Sequence, residues 1–244
     1  MSGARLLRHA GRKTVITGHY GSGKTEFAVS VAMLLAADPA NKIALIDLDI
    51  VNPYFRTREK RELLEKTGIS VYGSAFDKEI TAELPALGAN LRAPLEDECC
   101  RVLVDTGGND SGALILNQFT KYFNDDATSV VAVVNANRPE TASIEGAIGH
   151  IDSIEAVTGL SITGIVNNSH LLRGTTADTV IRGHHFCMDI CLETGKQFWC
   201  DCYPEGIVDP EDLSELSESL MPLGMHLRPT WLDEVSAEKY CLQR

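Results

Sequence analysis

Positive charge is scarce in this chain. Lysine and arginine total 22 against 34 aspartates and glutamates, a formal net charge of −12. That balance argues against a nucleic-acid groove or an anionic membrane surface as the main partner, since both recruit through cations. Long apolar runs are also missing, and none approaches the ~20 residues of a membrane-spanning helix. The N-terminal stretch Met1–His9 has no apolar centre long enough for a secretory signal. A cytoplasmic protein is expected, with neither nucleic acid nor membrane as partner. No C-x-x-C pair occurs, and the seven cysteines are odd in number. Reduced and mostly buried thiols are therefore expected. Repeats, linkers and low-complexity stretches are absent too, so the 244 residues read as one domain, 1–244.

What is present is a regular alternation of strand and helix patterns. Strands are expected near 13–18, 42–47, 101–105, 129–135, 161–167 and 196–201. Helices are expected near 23–37, 56–67, 139–158 and 175–194, with a shorter one near 211–220. Runs such as Val102-Leu103-Val104 and Val130–Val134 suit strands buried on both faces. The pattern predicts an α/β fold: a doubly wound, mostly parallel sheet with helices on both faces and ligands at the carboxyl ends of the strands. Residues 73–98, with Pro85 and Pro94, are the least regular and read as a small insertion at the edge of the site. Residues 221–244 read as a closing tail, with partner docking as the alternative.

The chain is organised around Gly18-His19-Tyr20-Gly21-Ser22-Gly23-Lys24-Thr25, which fits G-x-x-x-x-G-K-[ST]. The glycines let successive backbone N–H groups converge on one anion. Lys24 reaches the β/γ-phosphates, and the Thr25 hydroxyl takes a Mg²⁺ coordination position. A β-branched strand precedes the loop and an apolar helix follows it, as the motif requires. Gly21, Ser22, Gly23, Lys24, Thr25 and Glu26 are the expected nucleotide contacts.

Two further strand ends carry carboxylates. Asp47-Leu48-Asp49 sets two acids at period two, on one side of the chain. Asp47 is expected to support Mg²⁺ and Asp49 to orient or deprotonate the attacking water, with Asn52 in the same network. Asp105-Thr106-Gly107-Gly108 ends an apolar strand in the Walker B manner. Asp105 is placed beside the metal and Gly108 beside the γ-phosphate, in a loop that orders with the triphosphate. Asn167 and Asn168 end another strand, where an amide can read a purine edge. No carboxylate stands three residues beyond either, which favours adenine over guanine. Pro204 opens a Pro-Glu-Gly loop that walls the base or forms a plain turn. Ordinary turn formation is the competing reading for Asn52-Pro53 and for Asn167.

On these residues the chain resembles the MinD/ParA-like branch of P-loop ATPases, the CobQ/CobB/MinD/ParA nucleotide-binding domain. Thr17–Glu26, Val51–Glu59 and Asp105–Gly112 resemble a little-characterised bacterial subgroup described only as ATP-binding or cobyrinic-acid-synthase-like. The resemblance implies a MinD-like fold, Mg-ATP, ATP-driven dimerisation, partner switching and slow hydrolysis. One position departs: His19 stands where much of the branch has a second, signature lysine that reaches across a dimer. Its cross-contact then weakens or passes to another group, such as Arg56 or Arg58. A corrin-directed synthase is not supported, because no separate amidotransferase domain is present.

The expected function is a Mg-ATP-binding switch with slow ATPase activity, acting on an unidentified protein partner and able to form an ATP-dependent homodimer. The alternative is an ATP-dependent small-molecule kinase or ligase. His184, Cys187 and Cys191 share a helix face, and Cys200 and Cys202 follow, but the spacing matches no strong zinc or iron–sulfur pattern.

Overall fold

The computed structural model describes residues 9–49, 61–73, 91–108 and 116–226. Eight strands form one sheet: β1 (Lys13–Thr17), β2 (Lys42–Asp47), β3 (Ile69–Gly73), β4 (Cys100–Asp105), β5 (Thr128–Val134), β6 (Gly164–Asn167), β7 (Gln197–Pro204) and β8 (Leu220–Leu223). Their order is β3-β2-β4-β1-β5-β6-β7-β8, and every neighbouring pair is parallel. The principal helices are α1 (Lys24–Ala36), α2 (Arg61–Lys66), α3 (Ile144–Thr158) and α4 (Ala177–Thr194).

Alternate strand residues feed two separate cores, as a pleated sheet demands. Val15, Ala44, Ile46, Val102 and Val104 pack on one face with Ile151 and Ile154 of α3 and Ile190 of α4. Ile16, Ile43, Leu45 and Leu103 pack on the other with Phe27, Ala28 and Val31 of α1 and Leu64 of α2. Helices therefore cover both faces, which explains why the central strands read as unbroken apolar runs.

Beyond β1 the chain crosses to β2 on one side, while β4 leads across β1 to β5 on the other. The carboxyl ends of β1 and β4 thus flank the topological switch point, where this class of sheet opens a crevice.

Each expected central strand is found. The sequence pattern missed β3 and β8, the two edges. Ile69-Ser70-Val71 alternates between buried and exposed side chains instead of running apolar. β8 contains Pro222, which an edge tolerates because its missing N–H is needed by no further strand. The expected helix at 211–220 is instead a 3₁₀ segment, Pro210–Leu216, kinked at Leu213. Its last residues, and Met221–Leu223 of the expected tail, belong to or lead into β8. Within the expected insertion at 73–98, residues 91–96 are helical and 74–90 lie outside the described residues.

Candidate nucleotide site

The loop from Gly18 to Lys24 leaves the carboxyl end of β1 and enters α1. Helices α3 and α4 are capped by Ser143 and Thr176, whose hydroxyls accept from Gly146 N and Thr179 N. The α1 N-cap is Gly23, at φ 85°, and no side chain caps it. Its first N–H groups are left to an anion, and the helix dipole favours the same sign.

Neighbouring strands brace the loop. Ser22 N donates to His19 O at 3.1 Å. The carbonyls of Ser22 and Gly21 accept from Asn168 Nδ2 at 2.7 Å and Arg138 Nε at 2.8 Å. Lys24 Nζ donates to His19 O at 3.2 Å. Burial holds the Lys24 ammonium below its ordinary pKa, against the raising pull of Asp105 and Asp49.

The parallel register of β2 and β4 sets Asp47 beside Asp105, and Leu48 N donates to Asp105 O at 2.8 Å. Asp47 Oδ1 accepts from Asp49 N at 3.1 Å. Asp105 is 0% exposed, and neither carboxylate oxygen has a hydrogen-bond partner among the described residues. Burial first, and then the charge of Asp47, raise its pKa to about 8; Lys24 and the nearby Thr25 hydroxyl, short of hydrogen-bond geometry, oppose this. A buried carboxyl without partners is costly unless a cation joins it. The donor set of Asp105, Asp47 and the Thr25 hydroxyl is all oxygen, as Mg²⁺ prefers, with phosphate oxygens completing its shell. The residues present thus fit a Mg²⁺ ion.

Gly108 closes this end. A Cβ built there would lie 2.7 Å from Lys24 Nζ and 2.7 Å from Tyr20 N. The loop after β4 therefore touches the phosphate loop through bare backbone, an approach only glycine allows.

A cavity of ≈ 210 Å³ runs from this cluster along the loop. It is lined by Gly21, Gly23, Lys24, Thr25, Glu26 and Asp49, and Glu26 Oε1 also accepts from His226 N. Asn168, His170, Leu172, Pro204, Leu223 and Met225 line the rest. Burial and the Arg138 charge lower the His170 pKa to about 4, so its ring is neutral near pH 7.

The structure brings together nearly all the residues singled out in the sequence. Asn167 is separated from its neighbour. It is 0% exposed and does not line the cavity. Its Nδ2 donates to Val180 O at 3.0 Å and to Asp201 Oδ1 at 2.8 Å, and its Oδ1 accepts from Ser169 N at 3.0 Å. Its amide is thus committed to the core, and Asn168 is the one that meets the cavity. Ser22 is buried and contributes its carbonyl to the brace. Asn52, Arg56 and Arg58 lie outside the described residues.

His184 Nδ1 meets Asp201 Oδ2 at 2.9 Å, and burial raises the Cys187 and Cys202 thiols well above their ordinary range. Among the described residues, no group of three or more His, Cys, Asp or Glu could hold a metal ion. Sequence reasoning missed Arg138, His170, Leu172, Leu223 and Met225. Arg138 carried one available signal, its place just past the apolar run of β5.

No family model matches the sequence, and no curated protein matches it. Among solved structures, the chain is similar to the cell division protein FtsY of Thermotoga maritima, with 18% identity and a TM-score of 0.51 over 76% of this chain and 59% of that one. It is similar to chloroplast FtsY of Physcomitrella patens, with 15% identity and a TM-score of 0.52 over 80% of this chain and 62% of that one. A nucleotide-binding protein of Archaeoglobus fulgidus, in complex with ADP, matches at 15% identity and a TM-score of 0.45 over 88% of both chains. The chain spans less than two thirds of the FtsY chains it matches. The likeness to the FtsY chains establishes the fold alone, a parallel α/β sheet with helices on both faces.

Proposed function

We propose that the protein is a Mg-ATP-binding switch that hydrolyses ATP slowly and acts on a partner protein. One observation carries this reading: a fully buried carboxyl group, Asp105, with no hydrogen-bond partner among the described residues, beside Lys24 and Asp47 at the switch point of the sheet. The cluster suits a triphosphate–metal complex and little else, because each charge needs the other two components.

In this reading the uncapped α1 N-terminus and the loop N–H groups hold the phosphates, and Lys24 neutralises the β/γ oxygens. Thr25, Asp47 and Asp105 hold Mg²⁺, which supplies charge neutralisation at the phosphates when bound. Asp49 lines the cavity and positions water. Gly108 places the loop after β4 where the γ-phosphate is sensed, so that loop differs between triphosphate and diphosphate states. Glu26, Asn168 and Pro204 complete the nucleotide walls. Adenine is favoured because no carboxylate stands three residues beyond Asn167 or Asn168 to accept from guanine N–H groups. The resemblance to the MinD/ParA-like branch adds an ATP-dependent homodimer as the form that engages the partner.

Equilibrium titration of ATP and GTP with Mg²⁺ tests this. ATP is expected to bind at least ~10-fold tighter than GTP, about 1.4 kcal/mol, and Lys24→Ala is expected to abolish binding. Preference for GTP overturns the adenine assignment. Unchanged ATP affinity in Lys24→Ala overturns the site itself.

A further inference from the structure

The cavity has a second cation besides Lys24. Arg138 lines it from the loop after β5, facing Gly21. Its Nε donates to Gly21 O at 2.8 Å. Neither Nη nitrogen has a hydrogen-bond partner among the described residues. A guanidinium anchored through one nitrogen with two left over is half of a bidentate anion contact.

The local structure fixes that pose. Asn135 is 0% exposed, and its Oδ1 accepts from Asn137 N at 2.9 Å. Its backbone carbonyl accepts from Arg138 N at 3.2 Å and from Thr141 Oγ1 at 2.8 Å. Pro139 then starts a 3₁₀ turn directly after Arg138. The phosphate loop is shaped to receive the guanidinium. Gly21 has φ 74°, and a Cβ there would come within 2.9 Å of Arg138 Cζ. Any side chain at position 21 would push Arg138 away.

The balance of charge at the site points the same way. Lys24 lies within electrostatic reach of Asp49 and Asp105, so one ammonium answers two acidic groups before a triphosphate arrives. His19 supplies nothing to the cavity. It does not line it, and its Nδ1 lies 3.0 Å from Tyr20 O and 3.9 Å from Glu140 Oε2.

We infer that Arg138 is a phosphate-binding residue acting within its own chain, its Nη nitrogens grasping oxygens of the bound nucleotide while Nε holds the phosphate loop. It supplies the second positive charge that the loop lacks at His19. The inference rests on the nucleotide reading above, and the same titration separates the two.

ATP and ADP binding with Mg²⁺ is measured by calorimetry for the wild type, Arg138→Ala and Arg138→Lys, alongside the melting temperature of each free protein. A charge-assisted hydrogen bond of typical strength predicts a ~10- to 100-fold weaker ATP affinity for Arg138→Ala. The free melting temperature should change little, and Arg138→Lys, a point charge without the fork, should recover part of the affinity and not all of it. Wild-type-like ATP affinity in Arg138→Ala overturns the inference. So does a loss that matches a fall in melting temperature and is not recovered by lysine, because that marks a mere brace. If the wild type binds neither ATP nor GTP, the nucleotide reading falls and this inference with it.

Discussion

At the scale of single residues, the site combines function with a stability cost. Asp105 sits in a fully buried position, its oxygens without a hydrogen-bond partner among the described residues. An unfolded aspartate titrates near 3.8, and the folded one near 8. Between those values the native state keeps a proton that the unfolded state has lost, so stability falls as pH rises through the window. A carboxamide at this position cannot ionise. Asp105→Asn is therefore expected to melt several degrees above the wild type at pH 9 in the absence of nucleotide and metal, and to match it more closely at pH 4. It should also lose Mg²⁺-dependent ATP hydrolysis. Melting curves across this range check the sign; a variant less stable than the wild type at pH 9 contradicts it.

The same scale shows what could be read in advance. Lys24, Thr25, Asp47 and Asp105 were legible because each sits at the end of an apolar strand or in a glycine loop, a local signal. Asn167 and Asn168 were not separable. They are adjacent, and the last residue of β6 points its amide into the core while the next meets the cavity. Which one does so depends on contacts with Val180 and Asp201, 13 and 34 residues away. Beyond its place just past the apolar run of β5, Arg138 was illegible for the same reason, since its partner Gly21 is 117 residues distant.

At the scale of elements, the phosphate end of the site is where the carboxyl ends of β1, β2 and β4 meet the start of α1. α1 begins without a side-chain cap, whereas α3 and α4 are capped. The loop after β4 must lie close enough for its backbone to touch Lys24 and Tyr20. Gly108→Ala places a methyl group 2.7 Å from Lys24 Nζ and 2.7 Å from Tyr20 N. Backbone on one side cannot yield, so Lys24 or the loop must shift. ATP affinity is expected to fall ~10-fold or more, about 1.4 kcal/mol, with the remaining sheet unaffected in circular dichroism. Full affinity in this variant would mean that the two loops do not meet in the nucleotide-bound protein. The central strands were legible at this scale because burial on both faces leaves unbroken apolar runs. β3 and β8 were not, because an edge strand is covered on fewer sides and admits Ser70 and Pro222.

At the scale of the whole molecule, eight parallel strands with helices on both faces form a rigid frame, and the strand-end loops above it carry the chemistry. Among the described residues, no helix is long and apolar enough to cross a membrane. Among the described residues, Lys24 and Arg138 are the two lysine or arginine side chains lining the cavity. In the proposed switch, nucleotide state is transmitted through the strand-end loops, not through the sheet. The most direct test is amide hydrogen exchange of the full chain with Mg-ADP and with Mg²⁺ and a non-hydrolysable ATP analogue. Greater protection at residues 47–49 and 105–108 with the analogue, over an unchanged sheet, is the expected result. Identical exchange in both states, with both nucleotides bound, would contradict the switch.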